Sequence, residues 1–213
     1  MGVLPHLTPR EGADDLKIAP GIDADDWKGL QLAKPDSPDW ARAISMFEHR
    51  VGRRFTDAVD FLLADDEPRP VAERRFGFAI LAIDSFLVET LEAFRQGLTD
   101  TRRLSKDLCV AFLTQRSAFK GFFTEALAKR FYYEFRCGLL HNAQVFGTGR
   151  IWSVGPMVQL DGDRMTVNRT AFHQGLLGEV RDYLAELENP ANHVLRDHFR
   201  TKMSFIAEAR FVS

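Results

Sequence analysis

The chain has 213 residues and a formal net charge of −2, with 45% hydrophobic, 27% charged and 11% aromatic residues. That balance fits one globular domain whose core is large enough to stand without disulfides or a structural metal. Two cysteines, Cys109 and Cys137, exclude a disulfide scaffold and a four-cysteine zinc site, and the net charge speaks against a general nucleic-acid coat.

Five of the nine prolines (Pro5, Pro9, Pro20, Pro35, Pro38) fall in the first 38 residues, and residues 1–40 hold eight acids against four bases. No helical period runs through this stretch. It reads as an acidic, Pro-rich arm over residues 1–38, lying extended on the domain or partly disordered. The opening MGVLPHLTPREGADD has no basic segment followed by an apolar one, so no signal peptide is expected. The prediction is a cytoplasmic protein with both thiols reduced. Residues 39–213 read as a single helical domain with a β-hairpin insert at about 150–168.

The spacing predicts a first helix from about Asp39 to Leu63, with the stripe Ile44, Phe47, Val51, Phe55, Val59, Leu62 in steps of three and four. A second runs from about Pro70 to Gln96 with Gly97 as its stop. Its apolar middle marks it as the central helix. The run Phe76–Val88 is nonetheless too short for a membrane span and carries Asp84. A third helix covers about Thr101–Arg116 and a fourth about Phe119–Phe146, joined by links short enough to favour antiparallel neighbours. After Gly147-Thr148-Gly149, Ile151–Val154 and Met157–Val167 read as short strands, with Asp161-Gly162 as a hairpin turn. Helical spacing returns over Thr170–Leu187 and, past the break at Asn189-Pro190, over Ala191–Arg210. The fold class is therefore mainly all-α, an up-and-down helical bundle with a small β-hairpin insertion.

The sequence has no GxxxxGK(S/T) phosphate loop and no CxxC, HExxH or GxSxG motif. One segment looks chemical: the FYYEFRCGLLHNAQ run from Phe131 to Gln144. The core stripe here is Phe123, Leu127, Phe131, Phe135, Leu139. At about 100° per residue, His141 points about 160° away from Leu139, and Arg136 and His141 stand about 140° apart. Either Gly138 loosens the helix, or the long Arg136 side chain reaches round, or the partners come from two chains. A histidine near a helix C-terminus also simply complements the helix dipole, and an arginine among aromatics stacks.

This run resembles the RxxxxH motif of the HEPN superfamily of helical domains. Arg136 and His141 occupy the two defining places, aromatic residues stand just upstream, and Asn142 follows the histidine. The resemblance covers about residues 40–146 and extends loosely to the last two helices. It implies a bundle that dimerises so that two motifs face one cleft. It also implies a metal-independent endoribonuclease, without cofactor, of the kind found in toxin–antitoxin, defence and RNA-processing systems. RNA, a second copy of the chain and a cognate antitoxin or partner protein would be its partners. His141 would take the proton of a 2′-hydroxyl, or protonate the leaving 5′-oxygen. Arg136 would hold the non-bridging oxygens as negative charge builds. Cys137 departs from the pattern: active members commonly carry Asn, Asp or His there, and a thiol is a weak donor. It favours the alternative, a non-catalytic HEPN-fold binding or scaffolding protein.

Other residues carry paired readings. Asp84 and Glu89, in or beside the most apolar stretch, would orient an arginine or histidine in the cleft, or make a structural arginine pair. Tyr132 and Tyr133 would stack bases or belong to the core. Arg53-Arg54, Arg74-Arg75, Arg102-Arg103 and Lys129-Arg130 would line an RNA cleft or be solvated charge. His193, Asp197 and His198 form a metal-like spacing that no second cluster completes.

Overall fold

The computed structural model describes residues 17–208. The chain is mainly helical with a small β insertion. The first sixteen residues of the expected arm lie outside the described residues, while residues 17–38 are built into the fold. Strands β1 (Lys17–Ala19) and β2 (Ile22–Asp23) pair antiparallel around Gly21, whose φ of 75° only glycine adopts cheaply. The Asp23 carboxylate accepts from the amides of Asp25 and Asp26, and the Asp26 carboxylate accepts from the Asp23 amide, a capping box that starts α1 (Ala24–Lys28). Ile18, Trp27 and Leu32 are buried in the same core as the helices, and Trp27 meets Phe199 edge-on at 5.7 Å. Residues 17–38 thus lie on the domain, as one of the two expected readings has it, but folded into short elements that bury single large side chains without a helical period.

The first predicted helix is a rod: α2 (Asp39–Val51), a π-helical turn (Gly52–Thr56) and α3 (Asp57–Asp66). Ile44, Phe47, Val51 and Val59 of the stripe are buried. The central helix α4 (Gly77–Arg95) buries residues on nearly every face. It ends at Gly97, whose φ is 66° and whose missing Cβ leaves room for His198, 2.9 Å from where that atom would sit.

Helix α5 (Ser105–Gln115) leads into α6 (Glu125–Phe131), a second π-helical turn (Tyr132–Cys137) and α7 (Gly138–Asn142). The predicted fourth helix starts six residues late. Thr124 takes an extended ψ of 166° and its hydroxyl caps the Leu127 amide, while Phe119 and Phe123 still enter the core from turns.

The insert is a three-stranded sheet of order β3-β5-β4, made of β3 (Arg150–Trp152), β4 (Val158–Asp161) and β5 (Arg164–Asn168). The predicted hairpin is β4–β5, with Gly162 at φ 56° in its turn. Strand β3 adds in parallel to β5, a pairing that strand propensity alone does not specify. Asn168 then caps α8 (Arg169–Glu188), and α9 (His193–Glu208) closes the bundle. Phe131 stacks on Phe135 at 5.4 Å and on Phe172 at 5.1 Å, tying the motif helix to α8. No described helix is long and apolar enough to cross a membrane.

Candidate functional site

The motif segment is not a regular helix. A π turn leaves one backbone carbonyl without its usual intrahelical partner, and such turns recur at functional sites. Here Glu134 O accepts from the Phe146 amide at 2.9 Å. That bond comes from chain that has doubled back: Ala143, at φ 51°, ends α7, and residues 144–146 run against the helix they have just left. Gly138 permits the approach, since a Cβ there would lie 2.3 Å from the Gln144 carbonyl oxygen. What Gly138 does is admit the returning chain; Arg136 is bonded to Glu89 and not to His141.

Arg136 is the penultimate residue of the π turn and reaches α4. Its Nε donates to Glu89 Oε1 at 2.6 Å and its Nη2 to Glu89 Oε2 at 3.0 Å. The hydroxyl of Ser105, the first residue of α5, donates to the same Oε2 at 2.8 Å. The guanidinium also lies over the Tyr132 ring, 5.6 Å from its centroid. Burial works against the arginine's charge, but the Glu89 hydrogen bonds and charge outweigh it and hold its pKa above the ordinary value. A guanidinium has five N–H donors, and Glu89 takes two of them. Arg136 keeps 16% of its side-chain surface exposed.

His141 is exposed and makes no hydrogen bond among the described residues. It stands five residues beyond Arg136 with no hydrogen bond between the two, and exposed Asn142 follows. Tyr133 is 55% exposed and meets Tyr132 edge-on at 5.3 Å. Leu140 and Phe146, in and just after the motif segment, are also exposed.

Of the two predicted carboxylates, Glu89 pairs with an arginine, and the arginine is the one in the motif. Asp84 belongs elsewhere. Its Oδ1 lies 2.8 Å from Nδ1 of His173, whose Nε2 is 3.3 Å from Asp60 Oδ1. Spacing and residue type alone do not single out His173, Asp60 or Ser105. The signal for His173 is the need of buried Asp84 for a partner, matched by a histidine on the buried face of α8 beside Phe172.

The basic pairs are largely committed. Arg130 pairs with Glu134 at 2.7 Å and reaches Thr148 and the Asp163 carbonyl, fastening the motif helix to the β insert. Arg74 pairs with Glu67 and Ser153, Arg54 donates to the Lys17 carbonyl, and Arg102 pairs with Asp100. On α9, His198 bonds the Arg95 carbonyl, Asp197 pairs with Arg200, and His193 turns back to Ala191. Burial pushes the Cys109 thiol pKa up, which makes it inert.

No protein-family model, curated protein or solved structure matches the chain.

Proposed function

We propose that this chain is a HEPN-like, metal-independent endoribonuclease of the cytoplasm, acting as a homodimer, with Arg136 and His141 as its catalytic residues. The observation that carries the reading is Arg136. Its bidentate, half-buried pairing with Glu89, itself tied to Ser105, fixes the guanidinium plane and leaves three N–H donors for phosphate oxygens.

In that role Arg136 binds the non-bridging oxygens and stabilises the charge that builds on them. His141 takes the 2′-hydroxyl proton, and the freed oxygen attacks the adjacent phosphorus and expels the 5′-oxygen as a cyclic phosphate forms. The nucleophile is part of the RNA, so DNA is spared. One motif supplies one histidine. A second copy docked through Tyr133, Leu140 and Phe146 supplies the acid for the leaving group, and their exposure in and just after the motif segment supports that partner. A cognate antitoxin or other partner protein would cover the same face.

The second reading is a non-catalytic HEPN-fold binding or scaffolding protein. Glu89 favours it by neutralising most of the arginine's field, as does Cys137, which stands where a stronger hydrogen-bond donor would serve phosphate. Incubation of the purified chain with labelled RNA in excess EDTA, alongside sedimentation, separates the readings. A dimer that cuts RNA and loses the activity in His141→Ala supports the enzyme. A folded chain that binds RNA or protein without cutting supports the second reading.

A further inference from the structure

Helix α3 is held in an unusual way. Among its residues only Val59 and Asp66 are buried, and Phe61 is 74% exposed. Hydrophobic burial therefore contributes little to its docking. Its ties are polar instead. Asp66 accepts from Arg169 Nη2 at 2.8 Å, and Glu67, just past the helix end, accepts from Thr170 at 2.6 Å. In the middle of α3, Asp60 faces His173 Nε2 at 3.3 Å. The π turn at Gly52–Thr56 precedes the helix and Pro68 lies beyond it. An element with few apolar contacts belongs to the low-stability end of a fold.

His173 is 1% exposed and Asp84 fully buried, while the Asp60 side chain is 58% exposed. Ionised carboxylates only accept hydrogen bonds. Wherever the proton between Nδ1 and Asp84 sits, making both contacts requires the cluster to hold two protons. Remove one, and the buried Nδ1–Asp84 bond survives while Nε2 turns a bare lone pair toward the Asp60 carboxylate.

We propose that His173 is a proton-operated latch on α3: with both contacts made it docks α3 against α4 and α8, and loss of one proton releases the helix at Asp60. Several charged groups on and around α8 are engaged elsewhere. Arg169 serves Asp66 and Glu67, Glu179 accepts from Ser117 and the Ala118 amide, and Arg95 on α4 pairs with Glu186. Arg196 on α9 donates to three carbonyls. Glu48, His49, Arg53 and Asp57 of the α2–α3 rod line a groove with Arg181 further along α8.

The balance at His173 sets the direction in pH. Burial lowers its pKa, but hydrogen bonds and charge from Asp84 and Asp60 outweigh it, so the folded value lies above the ordinary 6.5. Docking energy is then fully present below the unfolded pKa and is lost as pH rises through the folded one. Burial raises the Asp84 pKa, which acts in the same direction.

The test is amide hydrogen exchange over residues 57–66 of the full chain between about pH 6 and about pH 9, corrected for intrinsic rates, with an NMR titration of His173. Protection in α3 is expected to fall about tenfold for each unit by which the docked pKa exceeds the undocked one, while α4 and α8 hold theirs. In Asp60→Asn the neutral amide partners either form of the imidazole, and the pH response should vanish. Asp66→Asn should lower α3 protection by a constant factor with the response intact. Protection independent of pH, a His173 that does not titrate, or a response that survives in Asp60→Asn overturns the proposal.

Discussion

Replacing Glu89 with glutamine tests how Arg136 is held. The shape is kept, but one acceptor oxygen becomes an NH2 that faces the arginine's own donors, and the charge is lost. At an effective dielectric of about 20, unit charges about 4 Å apart attract by about 4 kcal/mol. The two side chains are 16% and 12% exposed, so desolvation cancels about half of that. The expected destabilisation is about 2 kcal/mol, a fall in Tm of about 4–8 °C for a chain of this size. Urea unfolding of Glu89→Gln, Arg136→Met and the double variant isolates the pairwise energy, expected at about 2 kcal/mol. RNA cleavage should fall by about 10²-fold, since a guanidinium displaced by about 1 Å no longer meets the developing charge. A coupling energy below about 0.5 kcal/mol, or full cleavage by Glu89→Gln, would refute the claim that Glu89 positions Arg136.

Gly138→Ala should cost about 2–3 kcal/mol, because its Cβ would sit 2.3 Å from the Gln144 carbonyl oxygen and would push residues 144–146 off the motif helix; thermal unfolding by circular dichroism measures it. Ala143→Gly should stabilise by about 0.5–1 kcal/mol, since φ 51° strains an L-residue by about 1–2 kcal/mol and glycine gives back part of that gain as unfolded-state entropy; the same melts show it. Asp66→Asn leaves buried Arg169 with only the longer Glu67 contact, at 3.4 Å, as its charge partner and should cost about 1.5–3 kcal/mol, read from urea unfolding with unchanged m-value.

The helices were legible where burial repeats along one face. Phe131, Phe135 and Leu139 are buried as the stripe predicts, and Asn189-Pro190 separates α8 from α9. The sequence was misleading where a periodic pattern crosses a conformational boundary. Phe123 and Leu127 are four apart, yet Thr124 between them caps the helix, so Phe123 reaches the core from a turn. Neither π turn was legible; the motif's turn is tied to Phe146 bonding Glu134, across a chain reversal that no local spacing encodes. Within the site, Arg136 and His141 were legible as residue types and Glu89 as a carboxylate in need of a partner. The pairing itself spans 47 positions and depends on how α4 meets the motif helix. The same reason hid Asp84–His173, which joins α4 to α8.

The most direct measurement is cleavage of a labelled mixed-sequence RNA by the purified chain in excess EDTA, beside His141→Ala, Arg136→Ala and DNA of the same sequence. The expected result is cutting that persists in EDTA, leaves cyclic-phosphate ends, spares DNA and disappears in both variants. No cutting by a folded dimer, or cutting indifferent to either substitution, contradicts it.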